Sequence, residues 1–278
     1  DVGEEIYTDK FSCQLGGGLP ATLINIGRLG IESKIATELG GDMFSAFASE
    51  QYKKNNVEPM NIYKGSSIPL NITSAIILKD DRSFITYGKG SIEPDDEAKE
   101  SFYNMAHGAK ICLMQPGGFI EVYKKLKSEG TLMVLDMGWD ENMSVEKYSD
   151  LLDTADIYTP NRKEALRITG AANENDAADA LKKYIDRVIV KVDKDGCIGI
   201  DNGERFFVKS VEKFKNKDST GAGDAFLAGL CYGLFYDYPL KDCIEFGNIT
   251  GGKAVTAVGA LSAYVTEKEL LKLKEENY

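Results

Sequence analysis

The run Lys217-Asp218-Ser219-Thr220-Gly221-Ala222-Gly223-Asp224-Ala225-Phe226 carries more potential chemistry than any other segment of the chain. Gly221, Ala222 and Gly223 leave their backbone N–H groups unshielded, and the apolar stretch from Ala225 to Tyr236 is helix-compatible. Amides at a helix N-terminus form an anion site, with the helix dipole favouring negative charge. Asp224, held by those amides, would stay ionised at neutral pH, as a general base must. A tight turn with Asp224 as N-cap accounts for the same pattern equally well.

The other chemical candidates are weaker alone. Asn161-Arg162-Lys163-Glu164 follows Pro160 and precedes Ala165-Leu166, which describes a helix cap with a first-turn acid. Gly16-Gly17-Gly18 reads as a flexible turn. Gly247-Asn248-Ile249-Thr250-Gly251-Gly252-Lys253-Ala254 narrowly misses GxxxxGK[ST], because Ala254 lacks the magnesium-binding hydroxyl and no strand precedes it. A GxGxxG fingerprint is absent. Any triad or His-ligated zinc would need the single histidine, His107, which reads as an ordinary loop or helix-end residue. The five cysteines (Cys13, Cys112, Cys197, Cys231, Cys243) contain no CxxC and suit a reducing cytoplasm. Trp139 is expected to pack, Asp95-Asp96-Glu97 to open a solvated helix, and residues 272–276 to form an exposed terminal helix.

The elements that must hold these residues follow from periodicity. Ile111 to Met114, Leu132 to Leu135, Asp156 to Thr159 and Val188 to Val192 are short strand-like runs. Between them, Phe119, Val122, Tyr123 and Leu126, and later Ala177, Ala180, Leu181 and Tyr184, share helical faces. Strands alternating with helices imply βαβ crossovers and a parallel sheet covered on both sides, an α/β fold. Residues 64–90 break the rhythm: Thr73 to Leu78 and Ser83 to Tyr87 read as a hairpin flap, which on closing would exclude water from a cleft. The charged opening Asp1-Val2-Gly3-Glu4-Glu5 reads as though an opening strand were missing.

With 278 residues, 33 Lys plus Arg and 44 Asp plus Glu, the net charge is 33 − 44 = −11. That is the wrong sign for displacing counterions from nucleic-acid phosphates. No apolar run reaches the length of a membrane span, and no repeat or linker divides the chain, so residues 1–278 read as one domain.

Asp218 to Phe226 closely resembles the C-terminal signature of the ribokinase-like (PfkB) carbohydrate kinases. Gly17-Gly18-Leu19-Pro20-Ala21-Thr22 with Arg28-Leu29-Gly30, Gly40-Gly41-Asp42-Met43-Phe44, Asn161-x-x-Glu164, and Gly259-Ala260 with Thr266 match further family segments in order and spacing. The resemblance implies a three-layer α/β/α sandwich with a small β-sheet lid (here about residues 4–16 and 64–90) and ATP-dependent phosphorylation of a hydroxyl. It makes Asp224 the base and Gly221, Ala222 and Gly223 the hole for the transferring phosphoryl. Gly17, Gly18 and Thr22 fall on the substrate segment, with Tyr87 on the lid. Asn161 and Glu164 would organise Mg²⁺ and its waters, and Lys191, Asp193, Gly196 and Asn248 the nucleotide. Asp218 and the carbonyls of Thr220, Ala254, Ala257 and Gly259 would hold K⁺. A homodimer through the lid is implied as well.

Departures bear on the substrate. Thr22 replaces a usual Asn, Asp193 a usual Gly, and Asp136-Met137-Gly138-Trp139-Asp140 keeps only the acid of a D-x-N-x-R pattern. No Lys follows Gly17-Gly18, and a phosphate needs a cationic partner, which favours a free monosaccharide or sugar acid. The alternatives are a nucleoside kinase stacking its base on Tyr87, Phe84 or Tyr7, and a non-catalytic sugar- or nucleotide-binding regulator.

Overall fold

Side-chain alternation along the strands divides the core into two layers. Val134, Ile157, Ile189, Cys197 and Val208 belong to one apolar cluster, and their chain neighbours Met133, Leu135, Tyr158, Val188, Val190 and Ile198 to another. A sheet apolar on both faces must be covered on both. The protein is described by a computed structural model covering residues 5, 7–8, 11–77, 82–88 and 93–278, without the side chains of residues 77 and 82.

In chain order, α1 (Leu19–Arg28) leads into β1 (Ser33–Thr37), α2 (Met43–Lys54) and β2 (Val57–Asn61). A hairpin follows, β3 (Ile72–Ile77) and β4 (Arg82–Tyr87), then α3 (Asp96–Ala106). The central part runs β5 (Ile111–Met114), α4 (Ile120–Ser128), β6 (Leu132–Leu135), α5 (Ser149–Thr154), β7 (Ile157–Tyr158), α6 (Arg162–Thr169), α7 (Glu174–Leu181) and β8 (Arg187–Lys191). The chain closes with β9 (Gly196–Asp201), β10 (Glu204–Lys209), α8 (Ala222–Phe235), α9 (Leu240–Ala254) and α10 (Glu267–Asn277). The main sheet has the order β10-β9-β8-β7-β6-β5, with β5 to β8 parallel and β9 and β10 antiparallel. Helices α1, α8 and α9 supply the apolar cluster on one face, α3, α4, α5, α6 and α7 that on the other. This is the expected three-layer α/β/α sandwich.

The strands expected at 111–114 and 132–135 match β5 and β6; both hairpin strands begin one residue earlier than expected, β4 ends at Tyr87 as expected, and residues 78–81 lie outside the described residues. Of the 4–16 segment, residues 4, 6, 9 and 10 are outside the described residues and 11–16 carry no strand. Tyr184 lies beyond the end of α7 and is exposed, because Ala178 turns inward beside Ala177 and Leu181. Trp139 also departs from expectation: it is 56% exposed, on the loop after β6. The Gly247–Ala254 near miss is continuous helix within α9, and its backbone cannot cradle a phosphate.

One edge of the sheet stays open. β1 pairs parallel with β2, but the two form a sheet of their own. The Ser33 N–H donates to the Asn56 carbonyl and the Ile62 N–H to the Thr37 carbonyl, and the Lys110 and Met114 carbonyls accept from Leu132 and Asp136, so the alternate peptide groups of β1 and β5 turn away from their partner strands. They face across a cleft of about 840 Å³, roofed by Leu23 and Ile26 of α1 and floored by Phe102 and Met105 of α3.

At the other edge, Gly196 turns the chain from β8 into β9 with φ 125°, where a Cβ would stand 2.0 Å from the Val208 carbonyl oxygen. Gly196→Ala is therefore expected to destabilise the fold by about 3 kcal/mol, read as a lowered midpoint in urea unfolding.

Candidate active site

The carboxyl ends of the parallel strands and the N-termini of two helices meet at one place, where α/β sheets characteristically take ligands. Asp136 follows β6, Asn161 follows β7 and Lys191 ends β8. α8 begins at Gly221, whose φ of 78° and close approach to Ala260 (a Cβ would lie 2.7 Å from it) leave room only for glycine. Gly221 is the helix N-cap, without a side-chain cap, so Asp224 is not the cap that its position suggested. It sits in the first turn, and the N–H of Gly18, the N-cap of α1, acts on its carboxylate and favours the charged form. The two helix N-termini thus converge on one carboxylate, and a Cβ on Gly17 would stand 2.9 Å from Asp224 Oδ2.

The charge environment corrects one further expectation. The amide holding Asp224 belongs to α1, and it does not outweigh desolvation. Burial pushes the Asp224 carboxyl up to about 6; the Gly18 N–H lowers it, Asp136 raises it, and Lys191 lowers it. It remains ionised above neutrality and has a proton affinity matched to general-base work.

Lys191 is largely buried, its Nζ 3.2 Å from Asp136 Oδ2. A Cβ on Gly223 would be 3.8 Å from the same nitrogen, which places the ammonium against the amide turn. Burial pulls the Lys191 ammonium down, but Asp136 and Glu164 outweigh it and hold it above the usual lysine value. Glu164 is buried and raised by that burial, with Lys191 opposing.

Asn161 and Glu164 form a complete capping box: each side chain accepts the other's backbone N–H, at 3.0 and 2.8 Å. The bland reading of that motif is therefore realised, and one oxygen of Glu164 is committed to it. Beside them the Tyr158 hydroxyl, fully buried, finds no hydrogen-bond partner among the described residues. Buried oxygen donors with an orphaned hydroxyl suit Mg²⁺, which takes one or two carboxylates and keeps several waters. No cluster of three His, Cys, Asp or Glu that could hold a metal alone occurs among the described residues.

The remaining candidates divide. Asp218, Thr220 and Gly259 come together: one Asp218 oxygen accepts the Thr220 N–H and hydroxyl, the other the Gly259 N–H at 2.9 Å. Ala254 ends α9 and Ala257 lies in the turn beyond it. Asp193 adopts φ 57°, which explains why glycine would be usual there, and it pairs with Arg162 at 3.4 Å. Asn248 is buried within α9, its amide donating to the Lys209 carbonyl and the Tyr278 hydroxyl. Thr22 is buried one turn into α1, its hydroxyl without a partner among the described residues. Tyr87 is exposed on β4, opposite Ile72.

Three contributors escaped the sequence reading. The pairing of Asp136 with Lys191 spans 55 positions and leaves no local trace, although an acid ending a buried strand was a usable signal. Tyr158 looked like core. Gln14 ties the segment before α1 to the 259–262 turn, donating to Ser262 Oγ at 2.7 Å and accepting from Leu261 N–H; nothing in the sequence marked it.

A helix N-terminus without a side-chain cap, a neighbouring carboxylate and a buried ammonium together suit phosphoryl transfer. The sequence profile described as pfkB family carbohydrate kinase matches residues 2–267, and the chain belongs to that family. It is an ATP-dependent carbohydrate kinase. Over 280 residues it is 26% identical to an ATP-dependent 6-phosphofructokinase of Thermoanaerobacterium thermosaccharolyticum, covering 94% of this chain and 85% of that protein. It is 24% identical over 296 residues to a 5-dehydro-2-deoxygluconokinase of Clostridium perfringens, covering 97% and 87%. Its fold is similar to that of Arabidopsis thaliana ribokinase complexed with ribose and ATP (TM-score 0.82, 23% identity), covering 99% of this chain and 92% of that one.

The raised Asp224 carboxyl fixes a sign for stability. Its folded value, about 6, lies above its ordinary 3.8, so its contribution to stability is present below about pH 4 and is lost as pH rises through 6. Asp224→Asn should be more stable than the native chain at pH 8, by at most about 3 kcal/mol. The gain should shrink as pH falls below 6, in urea unfolding at pH 5 and pH 8.

Proposed function

We propose that the chain phosphorylates a hydroxyl of a free monosaccharide or sugar acid with ATP. The observation that carries this reading is the Asp224 carboxylate, seated between the N-termini of α1 and α8 with Lys191 near the Gly221–Gly223 turn. The substrate hydroxyl, lying along Gly17 and Gly18, gives its proton to Asp224 as its oxygen attacks the γ-phosphorus. The bond to the β-phosphate oxygen breaks and ADP leaves. N–H groups of the Gly221–Gly223 turn stabilise the charge on the transferring phosphoryl, and Lys191 neutralises part of it. Glu164 and Asn161, with Tyr158 beside them, would hold Mg²⁺ through water; the ion supplies charge neutralisation for the nucleotide phosphates. Asp218 with the carbonyls of Thr220, Ala254, Ala257 and Gly259 would hold K⁺ next to the turn, and the segment from Lys191 to Gly196 would face the nucleotide. Gly17, Gly18 and Thr22 bring no cation to the acceptor side, which favours an acceptor without a phosphate group.

The hairpin serves as a lid and, we infer, as a dimer contact. Ile76, Ile85 and Tyr87 are exposed on it, and a two-stranded sheet is marginal by itself. Five unpaired cysteines suit the reducing cytoplasm, and no helix among the described residues is long and apolar enough to cross a membrane.

ADP release from Mg-ATP with K⁺ present, over free hexoses, ribose, 2-keto-3-deoxygluconate, fructose phosphates and nucleosides, is expected to give one sugar or sugar-acid hit. Asp224→Asn should lose about 10²–10⁴-fold in turnover; a hit on a fructose phosphate or a nucleoside overturns the substrate class. Light scattering at micromolar concentration should read a dimer mass for the native chain and a monomer mass for Ile85→Lys. A monomeric native chain removes the hairpin contact.

A further inference from the structure

Lys191 presents a physical problem. A largely buried ammonium stands among Asp136 at the end of β6, Glu164 of α6 and the base on α8, 5.8 Å from the centre of the Phe226 ring. The lowest-energy arrangement of a lone cation and a lone base in such a site is a closed pair, and a closed pair leaves neither free: the base loses proton affinity and the cation is unavailable to phosphate. The chain avoids this by giving Lys191 another partner. Asp136 Oδ2 takes the ammonium at 3.2 Å, Asp136 Oδ1 accepts the Gly138 N–H at 3.4 Å, and the Thr159 hydroxyl, 3.5 Å from Oδ2, is shared with the Leu135 carbonyl at 3.3 Å. Asp136 directly follows the buried strand β6, which sets its backbone, and its carboxylate pairs with Lys191 in turn.

We propose that Asp136 is a positioning residue, whose carboxylate anchors the Lys191 ammonium beside the Gly221–Gly223 turn and keeps it from closing on Asp224. The proposal rests on Asp224 being the base. Charged groups acting on Asp224 are Asp136 from the end of β6 and Lys191 from the end of β8; α1 contributes only the neutral Gly18 N–H, and Glu164 of α6 acts on Lys191. Asp136 thus raises the proton affinity of Asp224 twice, by its own charge and by occupying the cation that would lower it.

The test needs no substrate. The carboxyl carbon of Asp224 is followed by ¹³C NMR from pH 4 to 8 on the full chain, assigned by its loss in Asp224→Asn. The native chain should titrate near 6. Asp136→Asn should lower the midpoint by at least one unit, a tenfold loss of proton affinity, as Lys191 swings towards the base. Asp136→Glu should restore most of the native midpoint, which a merely structural role for Asp136 does not require. Lys191→Met should move the midpoint in the opposite direction, upwards, and this second variant keeps the test open if Asp136→Asn does not fold. An unchanged midpoint in Asp136→Asn, or a fall in Lys191→Met, overturns the proposal. Turnover of Asp224→Asn in the kinase assay judges the base separately, so failure of either reading is recognisable by itself.

Discussion

The close approach of the Gly17–Gly18 backbone to the Asp224 carboxylate is the contact on which the rest of the site depends. It brings the N-terminus of α1 against the N-terminus of α8, so the positive ends of two helix dipoles face one carboxylate. The approach is close enough that a side chain at Gly17 would collide with the acid. Gly17, Gly18 and Asp224 are therefore set by the packing of two helices, not by a loop, and rigid elements hold groups in place more accurately than loops do. Gln14 and the 259–262 turn brace the same junction from outside, and Arg28 at the far end of α1 stacks on Tyr264 at 4.1 Å.

Around that junction the charge count is uneven. Asp136, Glu164 and Asp224 are three carboxylates near a single ammonium, Lys191. A site of that sign accepts nucleotide phosphates only in company with further cations, which links nucleotide binding to metal binding in the proposed reaction. The same excess of negative charge keeps Asp224 hungry for a proton. Burial supplies most of the effect and the neighbouring acid adds to it.

What the sequence revealed depends on how local each cause is. β5 and β6 were legible because strands covered on both faces read as unbroken apolar runs, and the turn at Gly221 because its small residues adjoin in the chain. The hairpin was legible from two β-rich runs with no helix between them. β1, whose sequence is Ser-Lys-Ile-Ala-Thr, has no such run and was not read. Tyr184 and Trp139 misled because an aromatic residue was taken as evidence of burial, when their backbone positions lie past the ends of the elements that could cover them. Asp193 shows the reverse case: an oddity of composition became a fact of geometry once its left-handed backbone was seen. The partnership of Asp136 with Lys191 was out of reach, since it exists only after three strands, β6, β7 and β8, have been laid side by side.

The open seam between β1 and β5 has a mechanical consequence. Among the described residues no backbone ladder joins β1 to β5, and α1, packed on both β1 and α8, links the unit formed by β1, α2 and β2 to the main sheet. Ladder hydrogen bonds are directional and resist sliding, whereas apolar contacts tolerate it. α1, which lines the seam and carries Gly18 at its tip, is therefore the beam between the two sheets.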